Sequence, residues 1–149
     1  MKSSSFTQLS RTVRFGDTDA AGVMHFHQLL RWCHEAYEES LERYGVDLAT
    51  IFPSSDPMPA VALPIVHCSA DYRAPLVCGD RLTILVSPER LDPSTFAIHF
   101  RFDRGDNTAA TALTRHLAIE RLSRRRCSLP APIQRWLEAA CLGQGVRPL

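Results

Sequence analysis

Apolar residues recur at three- and four-residue intervals between residues 26 and 44, and this spacing predicts a long helix. Charged residues, among them Glu35, Glu38 and Glu39, fill the opposite face, and Gly45 follows as a typical helix stop. Because the helix has a single apolar face, that face must pack against another element. The recurring positions are Leu29, Leu30, Cys33, Ala36, Tyr37, Ser40, Leu41 and Tyr44.

Alternating apolar and polar residues predict strands in most of the remaining chain. One strand is expected at residues 7–15, before the helix, and four more at residues 61–73, 81–91, 95–102 and 108–122. Pro130 opens a second, shorter helix. Successive strands joined by tight turns form antiparallel sheets, so the order of elements predicts an α+β fold. In this fold the long helix covers one face of a sheet of about five strands.

Length and composition narrow the class of protein. The 149 residues suffice for one domain, 1–149, with a sizeable core. A formal net charge of +1 argues against a broad basic surface for nucleic acid. No apolar run approaches the ~18 residues that indicate a membrane span. The five cysteines are an odd number without a C-x-x-C pair, which is typical of free thiols in a reducing compartment, so we expect a cytoplasmic location.

A short turn with two carboxylates, residues 16–23, joins the first predicted strand to the long helix. Asp17 and Asp19 stand two residues apart, so an extended backbone would place both side chains on the same side. Gly22 lets another backbone or a thin ligand come close. A carboxylate beside the exposed amides of a helix start suits acyl chemistry. From the spacing alone, however, a turn or capping role is favoured for Asp19.

The turn, read as Gly16-Asp17-Thr18-Asp19-Ala20-Ala21-Gly22-Val23, resembles the signature of hotdog-fold acyl-CoA thioesterases of the 4-hydroxybenzoyl-CoA thioesterase type. It falls between the first strand and the long helix, where that family carries it, and the order of elements is similar along nearly the whole chain. The helix run Cys33-His34-Glu35-Ala36-Tyr37-Glu38 is similar to the subfamily that hydrolyses a dihydroxynaphthoyl-CoA in phylloquinone biosynthesis. The resemblance therefore implies hydrolysis of an aromatic acyl-CoA.

The resemblance also implies roles for residues of the turn. Asp19 would be the catalytic carboxylate, acting as a general base on water or as the nucleophile. The amide of Phe26, at the helix start, would donate to the oxyanion, and Gly22 would let the acyl group approach closely. His25 and His27 flank Phe26 and could line the site, orient a water or bind substrate hydroxyls. They could equally be ordinary polar residues at a helix start.

Coenzyme A carries phosphates, for which arginine has suitably forked donors. The candidates are Arg90, Arg121, Arg124, Arg125 and Arg126, and of these Arg90, Arg124 and Arg125 are selected as phosphate contacts. Coenzyme A belongs to the substrate, and no cofactor is expected. The resemblance implies a homodimer with sites at the subunit boundary, and association of dimers into a homotetramer.

The sequence supports other chemistries at these residues less well. His25, His27, Cys33 and His34 include metal-ligating types but follow no recognised ligand spacing, so no metal site is expected. Cys33 and His34 do not form a nucleophile pair, because adjacent helix residues point about 100° apart. Two other functions are a broader acyl-CoA or acyl-carrier-protein thioesterase and a module that binds acyl thioesters without hydrolysing them.

Overall fold

The computed structural model describes residues 6–54 and 58–142. Its long helix, α1, spans Phe26–Tyr44, as the apolar spacing predicts. Gly45 ends α1 with φ 96°, and its amide donates to the carbonyls of Leu41 and Glu42. The face of α1 toward the core is buried along its whole length, at Leu29, Trp32, Cys33, Ala36, Tyr37, Ser40 and Leu41.

In the part of the chain that the structure describes, the other elements are seven strands, a second α-helix and two 3-10 turns, Phe15–Asp17 and Leu48–Thr50. The strands are β1 Thr7–Thr12, β2 Val61–Ala62, β3 Ile65–Tyr72, β4 Arg81–Asp92, β5 Thr95–Arg104, β6 Asn107–Leu117 and β7 Ile119–Glu120, and helix α2 is Ala131–Cys141. Five strands form one antiparallel sheet in the order β1-β4-β5-β6-β3, and β2 pairs with β7 in a separate two-stranded sheet. The predicted α+β architecture, with helices packed on a five-stranded sheet, is confirmed.

The sheet alternates between a buried inner face and a polar outer face. Leu82, Ile84 and Val86 of β4 are buried on the inner side, and successive residues on β5 and β6 follow the same two-residue period. Helix α2 adds a second apolar surface, and its Trp136 is completely buried. Strand β3 differs, because it lies at the sheet edge and most of its residues are exposed.

Two predicted strands agree with β4 and β5 to within two residues, and the other three differ more. The first stops at Thr12, because the chain tightens into a 3-10 turn at Phe15–Asp17 and leaves the Phe15 side chain 83% exposed. The strand expected at residues 61–73 is divided into β2 and β3 at Pro64, which has no amide to donate. The strand expected at residues 108–122 is divided at Ala118, whose amide donates to the Ser94 carbonyl instead.

Two buried hydrogen bonds join α1 to α2 and to β1. Ser40 Oγ accepts a hydrogen bond from Trp136 Nε1 of α2 at 3.0 Å and lies 2.6 Å from Thr7 Oγ1 of β1. Within the described residues, neither helix combines the length and apolar character needed to cross a membrane.

Candidate active site

The loop between β1 and α1 is held by its own backbone. The amide of Asp19 donates to the carbonyl of Val23 at 2.9 Å, and the amide of Gly22 donates back to the carbonyl of Asp19 at 3.0 Å. Thr18 and Met24 form an isolated antiparallel bridge. Gly22 has φ 79°, a left-handed conformation that other residues adopt only at a cost. The loop is therefore a small hairpin that delivers the chain to the start of α1.

The two aspartates of the loop have different backbone conformations and different partners. Asp17 ends the 3-10 turn, and its Oδ2 accepts a hydrogen bond from the Arg14 amide at 2.8 Å. Asp19 Oδ1 accepts from the Ala21 amide at 2.8 Å. The extended backbone that the spacing predicts through both residues is wrong at Asp17, because the chain has already turned there.

A cavity of about 440 Å³ opens beside this loop. Its wall is mainly apolar, with a carboxylate and a guanidinium as its charged groups. The lining residues come from the loop, the start of α1 and the segment after β3: Asp19, Val23, Met24, Phe26, Tyr72, Arg73, Ala74, Pro75 and Leu76. An apolar pocket with a few converging polar groups is the usual form of a small-molecule site.

The N-terminus of α1 lies on this cavity without a side-chain cap. His25 is the N-cap residue, and its side chain makes no capping hydrogen bond. Phe26 is the first helical residue, so its amide has no acceptor within the helix. Among the described residues, the Phe26 amide makes no hydrogen bond. An open helix start with a positive dipole end suits an anion or a developing oxyanion.

The structure brings some predicted site residues together and leaves others aside. Asp19 and Phe26 share the cavity wall. Gly22, His25 and His27 do not line the cavity, although His25 Nδ1 lies 3.9 Å from Asp19 Oδ2. The His25 ring packs against the Phe26 and His27 rings, with centroids 4.7 and 4.3 Å away.

The three arginines predicted to contact phosphate lie at the other end of the sheet. At the cavity end, Arg73 donates its amide to the carbonyl of Ala109, at the start of β6. Arg90 is near the far end of β4, and Arg124 and Arg125 lie in the turn after β7, beyond the end of β6. Eight residues of β6 separate the two ends, roughly 26 Å. One chain therefore does not bring these arginines to Asp19.

The cysteine and histidine of α1 occupy a different place. Cys33 and His34 line a smaller cavity of about 90 Å³, between α1 and strands β3 and β6. Burial raises the pKa of the Cys33 thiol, which keeps it protonated and unreactive. Across the described parts of the chain, no three His, Cys, Asp or Glu side chains are grouped to hold a metal ion.

Besides apolar residues of the cavity wall, sequence reasoning missed its two other polar residues, Tyr72 and Arg73. Tyr72 Oη donates to the Phe26 carbonyl at 2.6 Å, joining the end of β3 to the start of α1. Tyr72 could have been found from its position at the end of a predicted strand, three residues before Pro75. Functional side chains are common where a strand ends beside a turn.

An antiparallel sheet around a long helix, with a carboxylate and a helix start on one cavity, defines a hotdog-fold thioesterase. The chain belongs to the thioesterase-like superfamily, whose model matches residues 13–137. It is 56% identical over 150 residues to the 1,4-dihydroxy-2-naphthoyl-CoA hydrolase of Synechococcus sp. (strain CC9605), with 100% of both chains covered.

Two further relatives agree. The 1,4-dihydroxy-2-naphthoyl-CoA hydrolase of Prochlorococcus marinus (strain MIT 9303) is 59% identical over 139 residues, covering 91% of this chain and 92% of the relative. The crystal structure of the 1,4-dihydroxy-2-naphthoyl-CoA thioesterase of Synechocystis superposes with a TM-score of 0.79 at 35% identity, covering 87% of this chain and 93% of that one.

Proposed function

We propose that this protein hydrolyses 1,4-dihydroxy-2-naphthoyl-CoA to the free acid and coenzyme A, a step of phylloquinone-type quinone biosynthesis. The observation that carries the proposal is the meeting of the Asp19 carboxylate and the open α1 N-terminus on one mainly apolar cavity. The identity of 56% over the full length of a relative with that name supports the choice of acyl group. A cavity of about 440 Å³ has room for a two-ring aromatic acyl group.

The chemistry follows from the two groups on the cavity wall. In one route Asp19 takes a proton from water, whose oxygen attacks the thioester carbonyl carbon. In the other, the Asp19 carboxylate attacks that carbon and forms a mixed anhydride, which water then cleaves. In both routes the carbonyl oxygen becomes an oxyanion that the Phe26 amide stabilises, the C–S bond breaks, and the coenzyme A thiolate leaves and takes up a proton.

The contacts of Asp19 suit either route. Its Oδ1 is held by the Ala21 amide, which fixes the carboxylate and leaves Oδ2 to face the reacting atoms. The His25 ring, 3.9 Å from Oδ2, is near enough to orient a water beside Asp19. Gly22 acts on the site through its left-handed backbone conformation, which closes the hairpin that carries Asp19.

Phosphate recognition requires a second subunit in this proposal. Among the described strands, β3 lies at an edge of the sheet with exposed side chains, and an unpaired edge of this kind is a template for another strand. Antiparallel pairing of two β3 edges about a two-fold axis brings the far end of one sheet beside the cavity of the other. The partner subunit's Arg90, Arg124 and Arg125 then approach the mouth of the site as coenzyme A phosphate contacts. Pairing of such dimers would give the homotetramer.

A cytoplasmic location also belongs to this proposal. All five cysteines are free in the structure, and three of them are exposed. Exposed free thiols persist in a reducing compartment. We propose that no cofactor takes part, since water, the carboxylate and the amide account for every atom of the hydrolysis.

The central test is the rate of free-thiol release from 1,4-dihydroxy-2-naphthoyl-CoA by the wild type and by Asp19→Asn. We expect Asp19→Asn to lower kcat by roughly 10²- to 10⁴-fold, with Asp17→Asn as the matched control that keeps most of the activity. Loss of activity in Asp17→Asn alone would overturn the assignment of Asp19. A panel of aliphatic acyl-CoA and acyl-carrier-protein thioesters distinguishes the selective enzyme from a broader one. Tight binding without turnover by the wild type would indicate a binding module.

The arginine contacts have their own test, with two substrates. Arg124→Glu combined with Arg125→Glu should raise KM for the coenzyme A thioester by about tenfold or more, because charge-assisted phosphate contacts are lost. The pantetheine thioester of the same acid lacks the nucleotide phosphates, so its KM should not change. Arg135→Glu, on the exposed side of α2, is the control. An equal rise in KM for both substrates would contradict the phosphate role.

A further inference from the structure

Tyr72 is the one side chain of the edge strand β3 on the wall of the Asp19 cavity. It is the last residue of β3, and its hydroxyl donates to the carbonyl of Phe26 at 2.6 Å. The two residues are 46 positions apart in the sequence. The hydrogen bond therefore ties the sheet edge to the first turn of α1, where the proposed oxyanion donor lies.

Few other contacts fix the position of Phe26 at the start of α1. The Phe26 ring is 67% exposed, so burial of its side chain does not fix the residue. His25 provides no side-chain cap. Backbone hydrogen bonds hold the chain just before the helix, among them those from the Met24 amide to the Leu76 carbonyl at 2.7 Å and from the His25 amide to the Asp17 carbonyl at 2.9 Å. Beyond the helical hydrogen bond of its carbonyl and the packing of its ring on His25 and His27, the Tyr72 hydroxyl is the contact that joins Phe26 to the sheet.

We propose that Tyr72 is a positioning residue for thioester hydrolysis, which holds the first turn of α1 so that the Phe26 amide faces the cavity. This inference rests on the proposed function, because it assigns Tyr72 a role in that same site. Tyr72 acts through Phe26 and takes no proton from the reacting atoms. Since β3 is also an edge strand of the sheet, the same bond would connect the proposed subunit pairing at that edge to the geometry of the oxyanion site.

Two further observations fit this role. Burial raises the pKa of the Tyr72 hydroxyl, with a smaller contribution from the nearby Cys33 thiol, so the hydroxyl stays protonated and able to donate. The carbonyl of Phe26 has two lone pairs, one of which accepts from the helical amide four residues later. The tyrosine hydroxyl uses the remaining lone pair without breaking the helix.

The kinetic test compares Tyr72→Phe with Tyr44→Phe. Tyr44 ends α1, about 27 Å along the helix axis from Phe26, and packs on Phe6, so it is the matched control. We expect Tyr72→Phe to lower kcat by roughly 10- to 100-fold, with KM within about twofold of the wild type, because the amide is misplaced at the moment of reaction. Tyr44→Phe should change neither value. An unchanged kcat, or a raised KM with kcat retained, would overturn the proposal.

A second readout does not depend on activity. Phe26-His27 is the only Phe-His pair in the sequence, so labelling Phe with carbonyl ¹³C and His with ¹⁵N gives one linked carbonyl–amide NMR signal. Tyr72→Phe should shift this carbonyl resonance, and Tyr44→Phe should not. If Tyr72→Phe fails to fold, 3-fluorotyrosine at position 72 retains the hydroxyl as a stronger donor and should shift the resonance in the opposite direction.

The kinetic comparison and the NMR shift together distinguish failure of this inference from failure of the proposed function. If the Phe26 carbonyl resonance does not shift in Tyr72→Phe, the positioning role of Tyr72 is overturned, whatever substrate the protein hydrolyses. A wild type that hydrolyses no dihydroxynaphthoyl-CoA overturns the function, and the NMR comparison still decides whether Tyr72 holds Phe26.

Discussion

Asp17 and Asp19 stand two residues apart, yet the carboxylate of Asp17 accepts from an amide that precedes it in the chain and that of Asp19 from an amide that follows it. Asp17 Oδ2 accepts from the Arg14 amide, three residues before it, and Asp19 Oδ1 accepts from the Ala21 amide, two residues after it. Only Asp19 lines the cavity. Asp17 closes the 3-10 turn that ends the approach from β1, whereas Asp19 is held at the cavity wall. The pair therefore divides into a residue that shapes the loop and a residue that lines the cavity.

Asp17→Ala should destabilise the protein while most of the catalytic rate remains. Removing the bond to the Arg14 amide resembles the loss of a helix cap, which costs about 1 kcal/mol. Urea unfolding at fixed protein concentration measures this cost, and Asp106→Ala, an exposed aspartate between β5 and β6, is the control that should stay within about 0.5 kcal/mol of the wild type. A stability loss equal in both variants would show that the Arg14 contact contributes nothing.

Gly22→Ala should lower stability through backbone strain alone. Gly22 has φ 79°, and a Cβ added there would meet no atom within 4 Å, so crowding is not the cause. A left-handed conformation costs an ordinary residue roughly 1–2 kcal/mol. Gly16 is the matched control, because its surroundings are equally open and its φ is not left-handed. Gly16→Ala should therefore be neutral or slightly stabilising. A similar loss of free energy of unfolding in both variants would contradict the strain argument.

Ser40→Ala should be among the more damaging small substitutions in the core. It removes the acceptor for Trp136 Nε1 and the partner of Thr7 Oγ1, leaving two buried polar groups without a hydrogen bond. Each unsatisfied group costs about 1–3 kcal/mol, so a loss of about 2 kcal/mol or more in the free energy of unfolding is expected. Ser10→Ala, on the exposed side of β1, should cost far less. An equal loss of free energy of unfolding in Ser40→Ala and Ser10→Ala would contradict the hydrogen-bond argument.

The local pattern predicted α1 well and the contacts of the site poorly, for a physical reason. The extent of α1 depends on apolar spacing and on the left-handed cap at Gly45, both of which are local. The Tyr72–Phe26 hydrogen bond depends on how far the sheet edge stands from the helix, which no run of residues encodes. Strand alternation indicates which face Tyr72 occupies but not what its hydroxyl reaches.

In the loop between β1 and α1, the sequence also predicted some features correctly and others wrongly. The resemblance in residues 16–23 picked out Asp19, and the structure places Asp19 on the cavity. The prediction that the first strand extends to Phe15 was wrong, because the chain forms a 3-10 turn at Phe15–Asp17. The positions of Arg90, Arg124 and Arg125 could not be read from composition, since their distance from Asp19 is set by the length of the sheet.

Stability should fall as the pH drops from about 6.5 toward 4, and His116 should be a main cause. Its ring is completely buried, stacks on Phe96 with centroids 4.5 Å apart, and places Nε2 2.9 Å from Thr114 Oγ1. Burial, with a smaller contribution from the nearby His34, lowers the pKa of His116 to about 4. In the unfolded chain the pKa is near 6.5.

Between these two pKa values the unfolded state binds the proton and the folded state does not, so acid favours unfolding. The contribution of His116 is complete above pH 6.5 and is lost as the pH falls to about 4, a change of roughly 3 kcal/mol. Urea midpoints measured from pH 7 to pH 4.5 test this, with protein concentration held constant. His116→Gln should flatten the dependence on pH, whatever its effect on absolute stability. His99→Gln, an exposed histidine whose pair with Glu89 is worth little, should keep the wild-type slope. An unchanged slope in His116→Gln would assign the acid sensitivity to other groups.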